Sequence, residues 1–259
     1  MIRAGVGGWT FEPWRDSFYP AGLPHAKELA FASAQLTAIE INGTYYGTQK
    51  PASFAKWHAE TPDDFVFAVK ASRFCTNRKI LAEGGESVQR FINSGIAELR
   101  GKLGPINWQF LPIKKFDPED FDAFLSLLPK EVAGLPLRHV VEVRHASFAV
   151  PQFIDLLRRH GVAAVLTDNP EFPQLHDMTA DFVYARLQLC REEEPAGYPP
   201  DALDEWASTA RIWAEGGAPA ALPLLAPAGA EQARDVFVFF IAGFKPRAPA
   251  AAMALLQRL

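Results

Sequence analysis

Cysteine is nearly absent from this chain of 259 residues: Cys75 and Cys190 lie far apart, in no C-x-x-C or metal-ligand spacing. A secreted scaffold stapled by disulfides is excluded, and a reduced intracellular compartment is the simpler reading. An excess of one charge is absent too. The chain has 26 Lys and Arg against 30 Asp and Glu, a formal net charge of −4, which gives no global pull towards nucleic acid or anionic lipid. Only a local basic patch would provide one. Long hydrophobic runs are missing as well: the longest, residues 236 to 244, is too short to span a bilayer. The first residues, MIRAGVGGWTFEPW, lack the apolar stretch of a signal peptide. These absences predict a soluble cytoplasmic protein with no membrane partner.

Several catalytic signatures are lacking. No G-x-G-x-x-G or G-x-x-x-x-G-K-[ST] follows a strand-like run, which weighs against a nucleotide-binding open sheet. No G-x-S-x-G elbow occurs, and the six histidines show no H-x-H, H-x-x-x-H or H-E-x-x-H spacing. Neither a serine nucleophile of that type nor a transition-metal site is expected, and no cofactor is predicted. Carboxylates from different strands could still gather a divalent ion such as magnesium.

What is present is a regular alternation. With 49% hydrophobic residues, the chain has enough apolar surface for a packed core. Short β-type runs fall at residues 3–7, 38–41, 65–69, 106–110, 139–143, 163–167, 182–187 and 236–240. Between them, 26–36, 53–60, 87–99, 118–128, 151–160 and 203–214 carry helical spacing. Phe121, Phe124, Leu125 and Leu128, for example, follow i, i+3, i+4, i+7 and put one apolar face against a sheet. Asp117-Pro118 reads as an N-cap with proline at the first helical position, and Gly161 stands where a C-cap glycine belongs. The link between the sixth and seventh strands carries Pro170 and Pro173, so a degenerate or missing helix is expected there. Residues 216–229, rich in Ala, Pro and Gly, read as a flexible insertion. Eight strand-helix units predict an α/β fold: one TIM-type (β/α)8 barrel over residues 1–259 as a single domain, with a doubly wound sheet as the alternative.

In such a barrel, sites form at the carboxyl ends of strands. Those positions hold Glu40 and Asn42, Lys70, Gln109, Glu142, Arg144 and His145, Asp168, and Arg186. Alternation puts Glu40 with Asn42, and Glu142 with Arg144, on common faces. Buried charges need partners, so Glu40, Glu142 and Asp168 are expected to be compensated by Lys70, Arg144 and Arg186. A purely structural ion-pair network accounts for the same pattern. Trp9, Trp14, Tyr45 and Tyr46 follow the first two strands and offer surfaces for stacking on a ligand, or for packing loops, and packing is the expectation for Trp14. Cys75 is expected to be inert.

The segments "GVGGWTFEPWRDSFYPAGLP", "IEINGTYYGTQKPASFAKWHAETPDDFVFAVKASR", "KLGPINWQFLP" and "VEVRHASF" resemble, in order and spacing, the YecE-like family, domain of unknown function 72. The resemblance runs through nearly the whole chain. It implies a (β/α)8 barrel and no established activity, and it places the family's polar positions on Glu40, Asn42, Lys70, Gln109, Glu142, Arg144, His145, Asp168 and Arg186. This chain departs from the family's motifs at Thr76-Asn77, Leu111-Pro112, Gln188-Leu189 and Ile241-Ala242-Gly243. Those departures imply a divergent member with an altered ligand or a lost activity.

The leading expectation is an enzyme, of which a hydrolase is the least specific form, acting on a small polar or anionic substrate. Lys70, Arg144 and Arg186 would orient the anion, Glu142 or Glu40 would act as acid or base, and His145 would shuttle the proton. A variant makes Lys70 a Schiff-base nucleophile. The alternative is a non-catalytic barrel that binds a metabolite or single-stranded nucleic acid. Lys70, Arg73, Phe74, Arg78 and Lys79 have the cation and aromatic mix of such binding, and of an ordinary solvated loop. Composition says nothing of the oligomeric state.

Overall fold

The strand alternation closes on itself. In the computed structural model, which describes residues 1–15 and 17–259, eight parallel strands form a closed barrel. They are β1 (Ile2–Gly7), β2 (Ala38–Ile41), β3 (Val66–Lys70), β4 (Leu103–Gln109), β5 (His139–Glu142), β6 (Ala163–Thr167), β7 (Phe182–Leu187) and β8 (Asp235–Phe240). Each pairs with its sequence neighbours, and β1 pairs with β8 from Ile2 opposite Val236 to Val6 opposite Phe240. A short antiparallel hairpin, Glu131–Val132 with Leu135–Pro136, stands outside the barrel.

Among the described residues, seven helices surround it: α1 (Glu28–Gln35), α2 (Pro51–Ala59), α3 (Gly85–Ile92), α4 (Pro118–Ser126), α5 (Pro151–His160), α6 (Pro200–Glu215) and α7 (Ala248–Leu256). Single helical turns at Gly43–Tyr46 and Arg73–Thr76 follow β2 and β3. The caps are as the sequence predicts. Asp117 accepts from the N–H groups of Glu119 and Asp120 at 3.2 Å, and Gly161 closes α5 at φ 63°. Among the described residues, none between β6 and β7 is helical. Thr179 pins that link instead, donating to the carbonyl of Val162 at 2.7 Å and accepting from the N–H of Ala164.

Four details differ from the sequence reading. β4 begins at Leu103, three residues before the apolar run, because Gly104 lets the β3 backbone come close. A Cβ there would sit 2.5 Å from Val66 Cγ1, and the β3–β4 register shifts alongside it. The predicted helix 87–99 begins at Gly85 and ends at Ile92, since Gly95 turns left-handed (φ 110°) before a 3₁₀ stretch, Ile96–Lys102. Helix α7, which the alanine-rich C-terminus conceals from periodicity, covers β1 and β8. Residues 216–229 are irregular yet tethered: buried Asp177 accepts from the N–H groups of Leu225 and Ala226 at 2.9 Å, and Arg234 donates to the carbonyl of Gly216 at 2.8 Å.

Alternation sorts the strand side chains into two cores. The outward faces pack against helices, with Trp14, Trp108 and Trp213 buried there beside a phenylalanine cluster built on Phe110, Phe116, Phe121, Phe124, Phe148 and Phe153. The inward faces hold a separate core of Ala38, Val66, Ala68, Val140, Ala163, Val165, Phe182, Tyr184, Phe237 and Phe239. On the same parity, one step towards the carboxyl ends, polar residues replace these: Glu40, Lys70, Asn107, Gln109, Glu142 and Arg186.

Candidate functional site

A guanidinium bridges two carboxylates inside the barrel mouth. Arg186, on β7, donates from Nη2 to Glu40 Oε1 at 2.8 Å and from Nη1 to Glu142 Oε2 in a short contact. Tyr184, two residues earlier on the same face, donates its hydroxyl to Glu40 Oε2 at 2.6 Å. Asn107 on β4 spans the pair, donating to Glu40 Oε2 at 3.3 Å and Glu142 Oε2 at 3.2 Å. Arg144 completes the ring from the loop after β5, donating to Glu142 Oε1 from Nε at 2.9 Å and Nη2 at 2.6 Å. Its guanidinium lies 4.7 Å from the centre of the Phe172 ring.

The energetic logic is that of a buried network, in which every charge must be met. Burial works against ionising Glu142, but Arg186 and then Arg144 overcome it and hold its carboxyl at about 2. Glu40 is depressed for the same reason, with Arg186 and Lys70 outweighing burial. The same carboxylates hold Arg186 charged against the cost of its burial. Here Arg186 stands where a cation bridging Glu40 and Glu142 would sit. Among the described residues, no three His, Cys, Asp or Glu side chains come together as a metal-binding group.

Lys70 is the exception to this balance. It points inward at the end of β3, 7% exposed, with its ammonium 4.6 Å from the centre of the Tyr45 ring. No hydrogen bond or ion pair to this ammonium is formed by the described residues; the backbone carbonyl of Lys70 accepts from Thr44 Oγ1 at 2.6 Å. Burial, then the neighbouring Arg186, lower its pKa to about 8 against the pull of Glu40 and Glu142. Three further polar atoms of this region are buried without a partner among the described residues, Asn107 Oδ1, Gln109 Oε1 and Arg186 Nε.

The structure thus brings together Glu40, Lys70, Glu142, Arg144 and Arg186, with Gln109 and Asn107 beside them. Other expected residues stand apart. Asp168 is compensated by no cation among the described residues: it accepts from Tyr198 Oη at 2.5 Å and the N–H of Gln188 at 2.7 Å, and burial raises its pKa despite both bonds. It ties the loops after β6 and β7. His145 faces away from Glu142 by alternation, and its Nδ1 caps the turn Ala146–Phe148 by accepting from the Ser147 N–H at 3.1 Å. Asn42 donates to the carbonyl of Glu40 at 3.3 Å. Trp9 packs edge-on against Trp57 at 5.1 Å and lines a cavity of about 300 Å³ with Asn42, Gln49 and Lys245. Tyr46 is exposed, its ring edge-on to Tyr45. Trp14 packs, and its indole donates to the carbonyl of Lys245 at 3.0 Å. Both cysteines are buried, their thiols pushed up by burial to about 12.

Sequence reasoning missed Tyr184, Asn107 and Lys245, and it named Tyr45 for stacking on a ligand where its ring lies beside the Lys70 ammonium. The first two were within reach, since each lies two residues before a named strand-end residue and shares its face. Lys245 comes from the loop after β8, whose direction no local pattern specifies.

A family model described as a protein of unknown function, DUF72, matches residues 3–259. The UPF0759 protein YunF of Bacillus subtilis is 25% identical over 180 residues, 66% of this chain and 62% of that protein. The match therefore spans less than two thirds of that relative's length. A crystal structure of a DUF72 family protein from Thermotoga maritima superimposes with a TM-score of 0.76 at 24% identity, covering 99% of this chain and 98% of the other. One from Enterococcus faecalis gives 0.70 at 18% identity, covering 100% and 94%. At these identities the likeness carries the fold.

Proposed function

The chain belongs to the DUF72 family, and on that premise we propose that the barrel mouth is the site of an enzyme acting on a small anionic or phosphorylated substrate. Hydrolysis is the reaction class that demands least beyond the groups present. The observation that carries this reading is Lys70, a buried ammonium left without a counter-ion. Glu40 and Glu142 already hold Arg186 and Arg144, so the cluster of two carboxylates and three cations has one positive charge to spare. An anion entering the mouth would restore the balance.

The same geometry apportions the roles. Lys70 binds the anion, and with its pKa near 8 it is the group in the cluster best placed to give or accept a proton near neutrality. Glu142, ionised down to about 2, is a weak base and acts by holding Arg144 and Arg186 in place. Asn107 Oδ1 and Gln109 Oε1 supply acceptors for a substrate hydroxyl or an attacking water.

A thermal-shift screen of wild type and Lys70→Met against phosphorylated sugars, nucleotides and dicarboxylates tests this. A ligand of the native state raises its Tm by mass action. Stabilisation of wild type alone is expected; a series in which no compound separates the two proteins would sink the reading.

A further inference from the structure

Large exposed hydrophobic side chains have an uneven distribution on this molecule. Among the described residues, apart from the terminal Met1 and Leu259, they are Tyr46, Phe74, Ile80, Ile113 and Leu189, and all five lie on loops that follow barrel strands. Four of them, at 64% to 82% exposure for Tyr46, Phe74 and Ile113 and 46% for Ile80, stand over β2, β3 and β4. A solvated loop keeps such groups covered or does without them, and clustered exposure marks a binding surface.

The same arc is cationic. Lys50, Arg73, Lys79 and Lys115 are exposed and form no ion pair with the described residues. Arg78 spends its donors on the carbonyls of Phe74 and Glu83 and on Ser87 Oγ, at 2.8–2.9 Å, so no carboxylate among the described residues neutralises it. Glu83, Asp117 and Glu119 have no cation among the described residues, so they offset part of this charge, while Glu86 is paired with Arg90 at 2.6 Å and Asp120 with Lys114 at 2.8 Å. The Lys114 ammonium also donates to the carbonyl of Lys79 at 2.9 Å, which fastens the loops after β3 and β4 to one another. Across the mouth the loop after β7 carries Glu192, Glu193 and Glu194. A chain of net charge −4 thus presents one positive arc, with aromatic and aliphatic groups interleaved.

Between the loops after β2 and β3 and helix α3 lies a cavity of about 380 Å³, with Phe74, Arg78 and the Glu86–Arg90 ion pair on its wall and the neutral hydrogen-bonding groups of Thr48, Gln49, Ser72 and Ser87 around it. An apolar ring face beside such donors and acceptors suits a planar base. We propose that this arc binds single-stranded nucleic acid, its cations on the backbone phosphates and Phe74 and Tyr46 under unpaired bases. A duplex hides its base faces and would leave those rings unused. An acidic protein would satisfy the charges and likewise leave the rings without a role. The inference stands on the loops and is independent of the chemistry proposed for Lys70.

Fluorescence anisotropy with a short labelled oligothymidylate and oligouridylate measures it directly, using wild type, Phe74→Ala and the double variant Lys79→Ala/Lys115→Ala. The substituted side chains are all exposed, and circular dichroism of each variant checks that it folds. Binding is expected to weaken with salt, and the double variant to flatten the log–log salt slope by about 0.7 for each phosphate deprived of its cation. Phe74→Ala is expected to weaken binding about tenfold with the slope unchanged. Absence of binding at low salt overturns the proposal. So does equal affinity for a duplex, or displacement by polyglutamate together with an inert Phe74→Ala, either of which leaves only a polyanion-attracting surface. The readout is binding alone, so its outcome is separate from that of the Lys70 screen.

Discussion

Lys70 is held in the charged state at a cost. Its pKa falls from 10.5 to about 8 because burial and Arg186 disfavour the ammonium. The sign follows directly: below pH 8 the folded chain keeps a proton that the unfolded chain binds more tightly, so this group subtracts from stability, and the penalty fades as pH rises from 8 to 10.5. Lys70→Met, which keeps the apolar stem and removes the charge, is therefore expected to raise stability by roughly 1–3 kcal/mol at pH 7 while abolishing anion binding. The gain should vanish above pH 10.5, which urea denaturation at both pH values checks. A destabilised variant would mean that the ammonium holds the mouth together. Arg186 lies at the other extreme. Its loss leaves Glu40 and Glu142 facing each other without a cation, so Arg186→Met is expected to cost about 3–5 kcal/mol, read as a lower urea midpoint.

Among the elements, closure of the barrel depends on close backbone approach. Gly5 on β1 has the carbonyl oxygen of Ala38 1.7 Å from where a Cβ would lie, so β1 and β2 pack at that point only because the side chain is a hydrogen. Gly5→Ala is expected to cost more than about 3 kcal/mol, seen as a lowered Tm, since a backbone carbonyl cannot rotate away as a side chain can. The strands themselves were legible from residue type: each of the eight runs lies on an observed strand. The exceptions have local causes, Gly104 and Pro105 concealing the start of β4 and the alanines of α7 carrying no apolar period. The loops were less legible. Asp168 looked like a strand-end acid awaiting a cation, but a neutral Tyr198 thirty residues away in sequence meets it, and no local spacing announces that bond.

At the scale of the whole molecule, buried groups with lowered pKa values make the fold acid-sensitive, His139 and Glu142 among them. His139 stays neutral between the Trp108 indole, 3.1 Å from Nδ1, and the Pro129 carbonyl, 2.7 Å from Nε2, and burial lowers its pKa from 6.5 to about 4. The unfolded chain takes up that proton first, so stability should fall as pH drops from 6.5 to 4. Glu142, depressed from 4.5 to about 2, adds a second loss over that lower range as its ion pairs are protonated away. Chemical denaturation across pH 7 to 2 should show both, and a flat profile would contradict the burial of these groups. The order of residues alone fixed the alternation of strands and helices and set Glu40, Lys70, Glu142 and Arg186 at strand ends, and so charge at the barrel mouth, because residue type and spacing along a strand are local properties. Which charge would be left over was decided only by the tertiary structure. Arg186 reaches both carboxylates across the closed barrel and Lys70 reaches neither, and that outcome depends on distances between strands far apart in the chain.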